Sequence, residues 1–123
     1  MRTILLAGVL FASSAQPDKL RGHWIGTFQT EHGSGPLELT VLRSDSAATY
    51  RMTFMETELQ GQVREWKVAG DSLRFVIGFL TNGGAVEFRF AGVVKGAEAS
   101  GSFVGLQEGQ ERGRGPWSIT RQP

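Results

Sequence analysis

The chain has 123 residues, with 13 Lys and Arg against 12 Asp and Glu, 17 glycines and no cysteine. That length allows one domain, and near-zero charge leaves no electrostatic footprint for nucleic acid or for anionic lipid. The missing cysteine excludes disulfides, thiolate catalysis, lipid acylation at cysteine and Cys-based metal sites.

Met1-Arg2 gives a short positive start, and residues 3–12 (TILLAGVLFA) form an apolar run. Ser13-Ser14-Ala15 then places small residues at the −3 and −1 positions of a cleavage after Ala15. This is the layout of a signal peptide over 1–15. The run is shorter than the roughly 20 apolar residues a membrane-spanning helix needs. An extension over 16–22 and one domain over 23–121 follow. The expected location is periplasmic or secreted, as a monomer.

From Trp24 onward apolar residues recur at every second position, the signature of strands with one buried face. Trp24, Gly26 and Phe28 share a face. Leu37, Leu39 and Val41 follow, then Tyr50, Met52 and Phe54. Leu73, Phe75, Ile77 and Phe79 alternate with polar or small residues, as do Val86, Phe88 and Phe90. Trp117 and Ile119 close the pattern.

Turn-forming residues fall between the runs. They are Gly33-Ser34-Gly35-Pro36, Ser44-Asp45-Ser46, Gly70-Asp71, Asn82-Gly83-Gly84 and Lys95-Gly96-Ala97. Glycine and asparagine supply positive φ, while Asp and Ser bond locally to the backbone. The spacing predicts about eight strands, near 23–31, 36–43, 48–56, 61–69, 72–80, 85–94, 98–106 and 113–121. The 105–115 stretch, rich in glycine and charge, reads as a long mobile hairpin loop. Connections this short pair neighbouring strands antiparallel. The predicted fold class is therefore all-β, an antiparallel meander closing into a β-barrel; a two-sheet β-sandwich is the alternative.

Leu20-Arg21-Gly22-His23-Trp24 opens the first strand and Trp117-Ser118-Ile119-Thr120-Arg121 ends the last. This resembles the calycin superfamily of lipocalins, fatty-acid-binding proteins and avidins. There a Gly-x-Trp on the first strand is covered by a basic residue of the last. Gly22 and Trp24 match the first element and Arg121 the second. The resemblance implies a lipocalin-like barrel whose end strands are neighbours. It carries no ligand residue across, and the chain lacks the lipocalin disulfide and shows no C-terminal helix.

No constellation supplies an acid, a base and a nucleophile together, so no catalytic residue is assigned and the protein is expected not to be an enzyme. His23 alternates with Trp24 and points outward; His32 sits in a turn beside Glu31. Neither joins a third ligand, so no metal or cofactor is expected. Glu56 and Glu58 share a strand face in this reading, where they mark the exit of that strand into water. The inward aromatic and methionine set carries the functional expectation. Tyr50, Met52, Trp66, Phe75 and Phe88 are the candidate ligand-binding residues, and Gly22, Trp24 and Arg121 the structural closure. The expected function is binding of a small apolar or amphipathic ligand in the barrel mouth. The alternative is a periplasmic protein-interaction module such as an enzyme inhibitor, using 16–22 and 105–115 as its contacts.

Overall fold

A computed structural model describes residues 20–43 and 47–123. The signal peptide over 1–15, residues 16–19 of the extension and the turn at Ser44-Asp45-Ser46 lie outside the described residues. Nine strands form one antiparallel sheet: β1 (Gly22–Thr30), β2 (Gly33–Arg43), β3 (Ala47–Phe54), β4 (Thr57–Gln62), β5 (Arg64–Ala69), β6 (Ser72–Thr81), β7 (Gly84–Lys95), β8 (Glu98–Gln107) and β9 (Gln110–Arg121). Their spatial order is β4-β3-β2-β1-β9-β8-β7-β6-β5. The architecture is a strongly curled, barrel-like meander in a single sheet, not a two-sheet sandwich.

The curl follows from the chain itself. The two edges of the sheet, β4 and β5, are separated in sequence by Val63 alone. One segment thus pairs with β3 along its first half and with β6 along its second. The predicted fourth strand over 61–69 is accordingly two strands. The break is marked by the Val63 amide donating to the Ala48 carbonyl at 2.9 Å, by positive φ at Glu65 (52°) and by a register shift between Arg64 and Lys67.

A second difference concerns 105–115, which is paired strand and not a loop. Only Glu108-Gly109 turns, with φ of 51° and 83°. A register shift at Gly105/Leu106 absorbs one extra residue. Glycine here makes room within a strand, and charge faces water on the outer surface, so composition that reads as loop belongs to a ladder.

Alternation puts one face of every strand inside. Trp24, Phe28, Leu37, Leu39, Met52, Phe75, Ile77, Phe90, Phe103 and Trp117 are each at most 2% exposed and belong to one core. Phe75 stacks on Phe90 with ring centres 4.6 Å apart, and the Trp117 ring meets both edge-on. Such pairs contribute about 0.5–1.5 kcal/mol each beyond burial. Trp117 Nε1 donates to the Ser102 carbonyl at 3.0 Å. Several strands come close enough to need glycine. A Cβ on Gly92 would meet Trp117 Cζ2 at 2.8 Å as well as the backbone of Ser100.

The sheet has two unlike ends. At one end lie the β5–β6 and β7–β8 turns, the start of β1 and the end of β9; at the other lie the β1–β2, β3–β4, β6–β7 and β8–β9 turns. The first end is sealed. Leu20 packs with Trp24, Leu39, Val41, Trp66, Leu73, Ala99 and Ile119, and the space between them is too small for a water molecule. The Leu20 carbonyl accepts from Trp24 Nε1 at 2.9 Å.

Candidate functional site

The opposite end is open. A cavity of about 330 Å³ lies between its four turns. This is within the range of small-ligand pockets. The floor is aromatic: Phe54 meets Phe88 edge-on at 5.0 Å, and Phe103 packs on Phe88 at 5.5 Å. Val86 and Met55 add apolar surface, and Thr30, His32, Thr81, Gln107 and Arg112 form the polar rim.

A pair of glycines makes the space. Gly105 and Gly113 face each other across β8 and β9. A Cβ on Gly105 would touch Phe88 at 3.2 Å, whereas one on Gly113 would meet nothing within 4 Å. Side chains at these inward positions would have filled the mouth as they fill the rest of the interior.

Three of the turns are locally fixed. Thr30 and Thr81 play the same part in their hairpins. Each hydroxyl donates to the carbonyl of the glycine three residues on, at 3.0 Å, and accepts an amide two residues on. The shared Thr-x-x-Gly pattern (Thr30 to Gly33, Thr81 to Gly84) is legible in the sequence once its role is known. The β6–β7 and β8–β9 turns are tied together. Ala85 N–H donates to Glu108 Oε2 at 2.6 Å, Glu108 N–H returns to the Ala85 carbonyl, and Gln107 Nε2 donates to the Gly83 carbonyl. The fourth turn is built differently. Met55 and Glu56 both have positive φ, 51° and 67°, although neither is glycine or asparagine. Met55 is 68% exposed beside the cavity.

The rim carries one guanidinium with no carboxylate partner among the described residues. Arg112 donates to Gln110 Oε1 at 3.3 Å. His32 and Glu31 lie 3.9 Å apart, side by side in the β1–β2 turn at the rim. The mouth thus combines an apolar aromatic floor with a cation, Arg112, and a carboxylate, Glu31, at its edge.

The five residues expected to bind ligand do not converge. Phe88 lines the mouth cavity. Trp66 lines the sealed end, Met52 is fully buried in the core, and Phe75 lies in the central aromatic stack. Tyr50 sits beneath the outer surface near Gly61, where burial raises the pKa of its phenol. Phe54 and Phe103, inward-facing in the alternation but not among those five, join Phe88 at the mouth with Arg112, and Gly105 and Gly113 were not legible as the residues that open it. Trp24 and Arg121 are register partners on β1 and β9, with the guanidinium carbon 5.6 Å from the indole centre. Arg121 Nη1 also donates to the Arg21 carbonyl, and its side chain lies beside Gly22, where a Cβ would sit 3.2 Å from Arg121 Cδ.

Other singled-out residues have ordinary surroundings. His23 contacts Thr40 Oγ1 at 3.1 Å and Glu38 at 3.5 Å on the outer surface. Glu56 and Glu58 do not share a strand face: Glu56 is in the turn and Glu58 pairs with Arg51 at 3.4 Å on β4. Among the described residues no three His, Asp or Glu side chains gather as a metal site. No protein-family model, curated protein or solved structure matches the chain.

Proposed function

We propose that the protein binds a small amphipathic molecule in its mouth: the apolar body rests on Phe54, Phe88 and Phe103, and an anionic head meets Arg112. The observation that carries this reading is the 330 Å³ cavity, kept open by opposed glycines over an aromatic floor while the rest of the interior is packed. The ligand site is therefore smaller and higher than a lining drawn from all inward aromatics. The calycin-like ends support the same reading only as a likeness of fold. The one histidine–carboxylate pair at the rim, His32 with Glu31, is exposed and lies within a single turn, and the proposed role is non-enzymatic binding.

Gly113 provides the test. Its open surroundings predict that Gly113→Leu plugs the cavity without a clash. An anilinonaphthalene sulfonate dye should bind the parent protein saturably at one site and lose that site in Gly113→Leu. Thermal stability should be unchanged or raised, because a side chain replaces a strand glycine. Arg112→Gln should weaken dye binding several-fold. Equal dye affinity in Gly113→Leu and the parent would overturn the proposal, as would failure of the dye and of medium-chain fatty acids to bind at all. The three indoles make a poor reporter, since no tryptophan lines the cavity.

A further inference from the structure

The two halves of the outer surface differ in how their charges are placed. On β1 to β4 His23 lies 3.5 Å from Glu38 and Arg51 3.4 Å from Glu58. On β5 to β9 Arg64, Arg89 and Arg114 are paired, and Lys67 and Arg74 are left over. Lys67 stands directly opposite Arg74 across the β5–β6 ladder. Like charges at directly opposed positions are destabilising, and neither cation makes an ion pair among the described residues.

Arg89 lies one strand on, diagonal to Arg74, because Arg74 pairs with Ala91 and Val76 with Arg89. The same row continues through Val104 to Arg114. With strands about 4.8 Å apart, four cations thus descend across five strands in one oblique line. The nearby carboxylates are already engaged: Glu87 takes Arg64 at 2.7 Å and Arg89 at 3.1 Å, and Glu111 takes Arg114 at 2.5 Å. Glu65 is the further carboxylate at the margin of the shallow groove, about 480 Å³, that Lys67, Arg74 and Arg89 line.

The groove floor is small or hydroxylic. Val76, Ala91, Ser102 and Val104 lie between the cations, and Phe75, Phe90 and Phe103 pass beneath with their rings in the core. The floor therefore offers no outward aromatic platform, which single-stranded nucleic acid requires for base stacking.

We infer that this outer face of β5 to β9 is a docking groove for a linear acidic polysaccharide. Its carboxylate or sulfate groups neutralise Lys67 and Arg74 and continue along Arg89 towards Arg114. A flexible chain of sugars needs spaced cations and hydroxyl partners rather than stacking surfaces, and Ser102 supplies a hydroxyl in the floor. The inference is independent of the mouth cavity, which opens elsewhere on the molecule.

A heparin hexasaccharide, titrated calorimetrically at low salt, serves as the probe. The parent protein should bind it, and Lys67→Gln/Arg74→Gln should lose at least tenfold in affinity. The slope of log affinity against log salt should fall by about one for each cation removed. Glu87→Gln frees two guanidiniums and should tighten binding several-fold. The double variant should melt no lower than the parent, because it removes a like-charge pair. No binding by the parent, or unchanged affinity in the double variant, would overturn the inference. So would an equal loss in the distant Arg51→Gln control, or tighter binding of a thymidine oligonucleotide of the same charge.

Discussion

Met55 and Glu56 hold the least comfortable backbone near the mouth. A two-residue hairpin with positive φ at both positions suits Asn-Gly, and each L-residue forced there costs about 1–2 kcal/mol. Met55→Asn/Glu56→Gly should relieve part of the cost at each position and, set against the roughly 0.5–1 kcal/mol of extra entropy glycine loses on folding, stabilise the protein by about 1–2 kcal/mol, measured by urea unfolding. If the pair is kept for the mouth, dye affinity should fall at the same time, because the exposed Met55 side chain no longer lines one wall. Single residues also show where sequence reading stops. The alternation that places Tyr50, Met52, Trp66, Phe75 and Phe88 inside is encoded by period two, and all five are buried. Period two specifies a face, not a height along the barrel. Which inward residue meets a void depends on what stands opposite, and the void here comes from side chains that Gly105 and Gly113 lack.

Between elements, the connection of greatest consequence outside the ladders is made by Glu87. Arg64 on β5 reaches across β6 to Glu87 on β7, and Gly78 lets it pass: a Cβ there would meet Arg64 Nη2 at 2.6 Å. The edge strand β5 is thereby clamped to β7. The hydrogen bond from Arg64, then that from Arg89, holds the Glu87 carboxyl below the ordinary carboxylate range. A carboxylate whose pKa is lowered on folding stabilises the fold above its unfolded pKa and loses that contribution as pH falls through its folded pKa. Stability of the parent should therefore fall with acid across that window, and the Glu87→Gln variant should show a shallower fall. Chemical denaturation at stepped pH checks this; identical acid slopes would remove Glu87 from the account. The strand pattern was legible element by element, except where ladders change partner. The break at Val63 and the bulge at Gly105/Leu106 are set by pairing across the sheet, which no window of sequence contains.

At the scale of the whole molecule, the sheet order reads β4-β3-β2-β1-β9-β8-β7-β6-β5. Every ladder but one joins strands that follow each other in the chain. The exception is β1–β9, where the Gln122 amide also donates to the His23 carbonyl at 2.8 Å. The sheet cannot be completed until the last strand finds the first, the kind of distant pairing that slows folding. The single residue between β4 and β5 turns this into an engineering statement. The protein is a linear ribbon of hairpins that happens to be cut in its middle and spliced at Val63. Joining Gln122 to Arg21 through a short linker and opening the chain beside Val63 would make chain order and sheet order the same, with every strand paired only to its successor. Such a permutant should refold faster than the parent in stopped-flow measurements while keeping the mouth and its dye site. A refolding rate no faster than the parent's would mean that the first-to-last pairing is not what limits the chain. The seam at Val63 is thus where the natural reading frame of the ribbon begins, and the meeting of β1 with β9 is an interior joint.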